Sequence, residues 1–249
     1  MLQPRGAMKQ RTLFFAGLAV LLTGIVALGF AKSLFLRPLF SNFPVAPVVI
    51  VHGVVMTAWF LVFLAQAILG SQRRLVAHRR LGWAGTALAV LVVASIIPTT
   101  YGFPARRFAA DVPGYDVGAD LLHITMVVHG NTAMLVLFIG FYVMGLMRRQ
   151  RPEDHRRLMS FAAIVLVVPA ASRLGTVFGE AGVTSQPLGM LAAFGLPLLV
   201  AAHDLAAGAR LHAVTIAGVT AIYALFGVLG ILGLSPLGEA LILGLAEGR

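Results

Sequence analysis

The sequence predicts an all-α polytopic membrane protein of about seven transmembrane helices, and three observations carry that prediction. Hydrophobic residues make up 59% of the 249-residue chain and charged residues 11%, with a mean hydropathy of +0.92, far from the roughly half-apolar, quarter-charged make-up of soluble domains. The apolar residues fall in continuous runs near 12–30, 47–70, 82–101, 120–147, 158–178, 186–205 and 212–233, each close to the roughly 20 residues that cross a bilayer at about 1.5 Å per residue. The runs do not alternate, and lipid cannot satisfy open backbone groups, so helices are expected rather than a barrel.

The first run follows the basic stretch MLQPRGAMKQR. It is longer than a signal-peptide core and lacks a small-x-small cleavage site, so it reads as a retained anchor helix at 12–30. Residues 47–101 form a first helical hairpin, 120–178 a second, and 186–233 a C-terminal helix pair, all in one integral membrane domain spanning 1–249. The tail SPLGEALILGLAEGR is apolar with sparse charge and is expected to lie along the outer interface.

Orientation follows from the basic residues. Arg5, Lys9, Arg11, Arg73, Arg74, Arg79, Arg80, Arg148, Arg149, Arg151, Arg156, Arg157 and Arg210 fall on one side, and Lys32, Arg37, Arg106, Arg107 and Arg249 on the other. The asymmetry predicts a multi-pass protein of the cell's inner (plasma) membrane with its N-terminus in the cytoplasm and its C-terminus outside. The net charge of +10 therefore reads as topology signals and membrane-lipid contacts in short loops, not as a nucleic-acid surface. No cysteine is present, so any metal or cofactor falls to histidine, carboxylate, methionine or backbone. The only lysines, Lys9 and Lys32, lie near or outside the ends of the first span, which excludes a retinal Schiff base.

Within the apolar runs one pattern repeats. VHG at 51–53 and HRRL at 78–81 return at 128–130 and 155–158, a shift of two spans. Both copies then keep the same orientation, as a parallel repeat about an axis along the membrane normal. The shift places His52 and His129 together near the outer face, and His78 and His155 together at the cytoplasmic face. On the second span His52, Trp59 and Gln66 fall on one helical face, and a buried amide in line with a histidine argues that this face meets protein. On the fourth span the matching stripe is His129, Val136 and Val143, with Ala133 and Gly140 alongside; small residues there allow helices or a flat ligand to approach closely.

The segments VHGVVMTAWFLVFLAQAILGSQRRLVAHRRLGWAG and RRQRPEDHRRLMSFAAIVLVVPAASRLG resemble bacterial multi-spanning membrane proteins of unknown function that carry paired H…HRRLG and H…HRRLM motifs, over about residues 47–178. The layout is also similar to the transmembrane b-type cytochromes of the ascorbate-reducible type, whose central four helices hold two haems, each between two histidines, one near each face. That resemblance implies His52 paired with His129 and His78 with His155. The cytochromes' cytoplasmic ligands lie within helices rather than in an arginine-rich turn, so the outer pair carries the likeness better than the inner one.

These features give an expected site and two rivals. The leading function is electron transfer through bis-histidine haem b, between a quinol or soluble redox partner and an acceptor, with Arg173, the arginine well inside an apolar run, meeting a haem propionate. His52 and His129 are expected to matter more than His78 and His155. Pro169, one turn before Arg173, is expected to kink the helix, and Glu180 is the alternative partner for Arg173. The first rival is a membrane hydrolase acting on lipid through zinc or copper held by His52, His123, His129 and Asp120. His203, Asp204 and His212 could extend a cytoplasmic cluster or simply form a polar helix end. The second rival is a non-enzymatic accessory or transport protein.

Overall fold

A computed structural model describes residues 5–41, 44–109, 117–178, 185–208 and 210–247, and among them there is no β-strand. The helices are α1 (Arg5–Gly29), α2 (Pro47–Ser71), α3 (Leu75–Tyr101), α4 (Phe103–Phe108), α5 (Val117–Met147), α6 (Pro152–Phe178), α7 (Ser185–Gly208), α8 (Ala213–Gly233) and α9 (Pro236–Glu247). Six of them, α2, α3 and α5 to α8, are long and apolar enough to cross a membrane, and α1 adds a shorter apolar stretch, Leu13–Gly29. The chain is thus an all-α protein of the polytopic membrane type.

Local chemistry sets the boundaries. Pro47 opens α2 and Pro152 opens α6, where a missing N–H costs nothing because the first-turn donors have no helical acceptor. Glu153 and Asp154 follow in the first turn of α6, facing the positive end of the helix dipole. Between α2 and α3 the turn is so tight that Arg73 takes φ = 57°, the left-handed region that side chains with a β-carbon seldom enter. His212 caps α8, its Nδ1 accepting the Val214 N–H at 3.2 Å.

Helix α6 is the axis of the bundle, packed against α1, α5, α7 and α8. Phe161, Ala162, Ala163, Ile164 and Val167 are fully enclosed, which explains why this run carries apolar residues on every side. The two repeat hairpins form as α2 with α3 and α5 with α6, and α1 wedges between α2 and α6. Gly29 makes that wedge possible: a β-carbon there would collide with the Ala170 backbone. The hairpins meet along α3 and α5 through Tyr142 Oη donating to Thr86 Oγ1 at 3.2 Å, a Tyr101–Thr132 hydroxyl pair at 3.1 Å and Asn131 Nδ2 donating to Thr100 Oγ1 at 3.3 Å. Across the centre, Trp59 of α2 meets Phe138 of α5 edge to face at 5.3 Å. At the end away from the arginine turns, the tail forms α9 and packs on α4, α5 and α8. Ile242 of α9 is completely buried with Ile124 and Val128, so this part of the tail is docked on the bundle.

Candidate functional site

The histidines of the two HRRL words come together. His78 opens α3 and His155 opens α6, and their ring centres lie 6.2 Å apart with the planes at 81°. Each ring is anchored to the end of the preceding helix: His78 Nδ1 bonds the Gln66 carbonyl at 3.1 Å, and His155 Nδ1 bonds the Gly145 carbonyl at 2.8 Å. A carbonyl only accepts, so in each neutral ring Nδ1 carries the hydrogen and Nε2 keeps its lone pair. This is the arrangement by which a backbone carbonyl fixes the tautomer and orientation of a ligating histidine. The two rings are the side chains here that would supply imidazole nitrogens to a haem iron or another metal ion.

The histidines of the two VHG words carry the same polarity but different partners. The Ser95 hydroxyl donates its hydrogen to the Val92 carbonyl at 2.9 Å, so it accepts from His52 Nδ1 at 3.0 Å. His129 Nδ1 donates to the Thr125 carbonyl one turn back at 2.8 Å. All four repeat histidines thus present a bare Nε2 in their neutral forms. Yet His52 turns to α3 of its own hairpin, whereas His129, 6% exposed, lies against α8, where a β-carbon on Gly233 would come within 3.5 Å of its ring. Among the described residues no ring contact joins His52 to His129. The side chains that the sequence places first are not brought together, and the pair it places second is.

The two helical stripes behave differently for the same reason. Trp59 is buried and the Gln66 side-chain oxygen is enclosed without a hydrogen bond, so the α2 stripe faces protein. The Gln66 amide nitrogen lies toward Gly82, within 3.4 Å of where a β-carbon would stand, one turn along α3 from His78. On α5, Val136 and Val143 are about half exposed, and the stripe faces protein only at its His129 end.

Arg173 is exposed and lies within electrostatic reach of His52. Its guanidinium covers the Phe30 ring at 4.9 Å, and Nη1 donates to the Pro169 carbonyl at 2.7 Å. Glu180 falls outside the described residues. Asp120 is engaged by Arg107 at 2.7 Å, and His123 is exposed. Among the described residues no group of three or more His, Asp or Glu side chains stands close enough to hold one ion. The set His52, His123, His129 and Asp120 is therefore not assembled, and neither is a cluster of His203, Asp204 and His212 with the inner pair.

Asp204 instead anchors a network that the sequence reading missed. Its carboxylate, 1% exposed, faces Arg157, 4% exposed, and accepts Arg157 Nε at 3.2 Å, Thr215 Oγ1 at 2.5 Å and the His212 N–H at 3.1 Å. Arg157 also donates to Glu153 at 2.6 Å, and His212 Nε2 lies 3.5 Å from Asp154. This lattice ties α6, α7 and α8 at the arginine-rich end. The usable signal was an aspartate inside an apolar run, which demands a cation at the same depth. His203 stacks flat on Phe14 at 4.0 Å and fastens α1 to α7.

No family model, curated protein or solved structure matches the chain, so the arrangement of its own side chains is what speaks to its chemistry.

Proposed function

We propose that this multi-pass helical protein transfers electrons through a metal centre held by His78 and His155, with haem b as the group that the pair fits best. The observation that carries the reading is the 6.2 Å approach of two histidines from different copies of the repeat, each with Nδ1 committed to a backbone carbonyl. When bound, haem supplies one-electron redox chemistry, tuned by its axial ligands and their hydrogen bonds. The chain's part is to hold both rings rigidly: His78 by the end of α2, His155 by the end of α5. A catalytic zinc site takes three protein donors, and the engagement of Asp120 by Arg107 gives the hydrolase reading less support.

The test is an absorption spectrum of protein purified from haem-supplied cells. A sharp Soret band that shifts on dithionite reduction is expected. A colourless protein overturns the haem assignment, and copper or zinc in that sample, lost on His78→Ala, moves the claim to a metal ion at the same pair.

A further inference from the structure

We propose that the arginine-rich end of α5 and α8 is a binding site for one anionic phospholipid, with its phosphate at Arg210 and an acyl chain lying over Gly140. The site is independent of the histidine pair.

Helices α5 and α8 touch closely at one end and part at the other. Near the end of α8, a β-carbon on Gly233 would stand 3.4–3.5 Å from Met126 and His129. Toward the arginine turns, a β-carbon on Gly140 would meet nothing within 4 Å. The opening is a groove of about 560 Å³ with Gly140 and Met144 on one wall, Ala217 and Ala221 on the other and Leu158 of α6 beneath. Its one charged lining residue is Arg148, at the end where α5 stops. From Val136 to Arg148 the trough runs about 18 Å along the helix, long enough for most of an acyl chain.

The groove shares Ala213, the first residue of α8, with a polar cavity of about 350 Å³ that also holds Arg157, Asp204, Arg210 and His212. The acidic groups around it are already committed. Asp204 and Glu153 neutralise Arg157, and Asp154 takes Arg148 at 3.0 Å and faces His212 at 3.5 Å. Among the described residues no carboxylate pairs with Arg210, which is exposed at the cavity mouth. An apolar trough that runs into a cavity with a cation left over matches an amphiphile with an anionic head, and arginine is well suited to a phosphate's oxygens. A zwitterionic headgroup would bring its own cation to the same place, and a neutral head would leave Arg210 uncompensated.

The experiment uses the purified full chain in detergent, with phosphatidylglycerol or phosphatidylcholine of the same acyl chains added, read by native mass spectrometry and thermal unfolding. Phosphatidylglycerol is expected to be retained on most molecules and to raise the midpoint, with phosphatidylcholine retained several-fold less. Arg210→Gln should abolish the difference between the two lipids, and Gly140→Leu, which fills open space rather than striking a neighbour, should lower retention of phosphatidylglycerol. If Gly140→Leu fails to fold, the Arg210→Gln comparison decides. Equal retention of both lipids by the wild type overturns the proposal, as does retention indifferent to Arg210→Gln. Stabilisation by inorganic phosphate alone, equal to that by phosphatidylglycerol, also overturns it, because the acyl chain would then contribute nothing.

Discussion

His78 and His155 stand at equivalent positions of the two repeat copies, and their rings approach to 6.2 Å although 77 residues of chain separate them. His52 and His129 are equivalent in the same sense, yet one bonds Ser95 and the other its own helix. The histidine substitutions should therefore sort by packing rather than by motif. His78→Ala or His155→Ala is expected to weaken cofactor retention by about tenfold or more, as loss of a ligand or its orienting contact does, with His52→Ala and His129→Ala within about twofold of wild type. Absorbance per protein after size-exclusion chromatography checks it; the opposite ranking would return the centre to the outer pair.

The Arg157–Asp204 pair predicts a stability effect that does not depend on any cofactor. Asp204→Leu leaves a guanidinium that is 4% exposed with Glu153 as its remaining carboxylate and takes the acceptor from Thr215 Oγ1 and the His212 N–H; it should cost about 1–3 kcal/mol, and Arg157→Met with Asp204→Leu should recover part of that loss. Unfolding in graded denaturing detergent measures both. A single variant as stable as wild type would mean that the pair is solvated in the membrane-bound protein.

The α1–α6 contact predicts a steric effect. Gly29→Val places atoms against the Ala170 backbone, and overpacking of this kind costs about 1–3 kcal/mol. Gly24→Val on the same helix meets nothing within 4 Å at its β-carbon and should leave the midpoint of thermal unfolding unchanged. Equal effects from both would mean that the contact with Ala170 is not the cause, since valine is no worse a helix former than glycine.

The absence of cysteine makes the chain ready for topology mapping by single introduced thiols. Gln72→Cys, in the turn between α2 and α3, and Arg149→Cys, between α5 and α6, are expected to react from the cytoplasmic side only. Phe40→Cys and Ala109→Cys should react with an impermeant reagent added to intact cells. The excess of arginine and lysine on the first side sets this expectation, and labelling of Gln72→Cys from outside would reverse the orientation.

Composition and run length determined the fold class by themselves, because bilayer thickness and the need to satisfy every backbone group leave few solutions for runs of about 20 apolar residues. The paired hairpins were legible too, since each HRRL turn must fall between two apolar runs. Which histidines meet was not. Depth along a helix follows from counting residues, but the direction a side chain faces around the bundle depends on where each helix sits relative to all the others, and that is settled by contacts between residues far apart in sequence. Gly29 lets α1 in against α6, and the contact of α5 with α8 leaves His129 facing Gly233 instead of His52. The same long-range packing brought Asp204 to Arg157 across 47 residues, a partnership that the sequence could demand in kind but only the tertiary structure could assign.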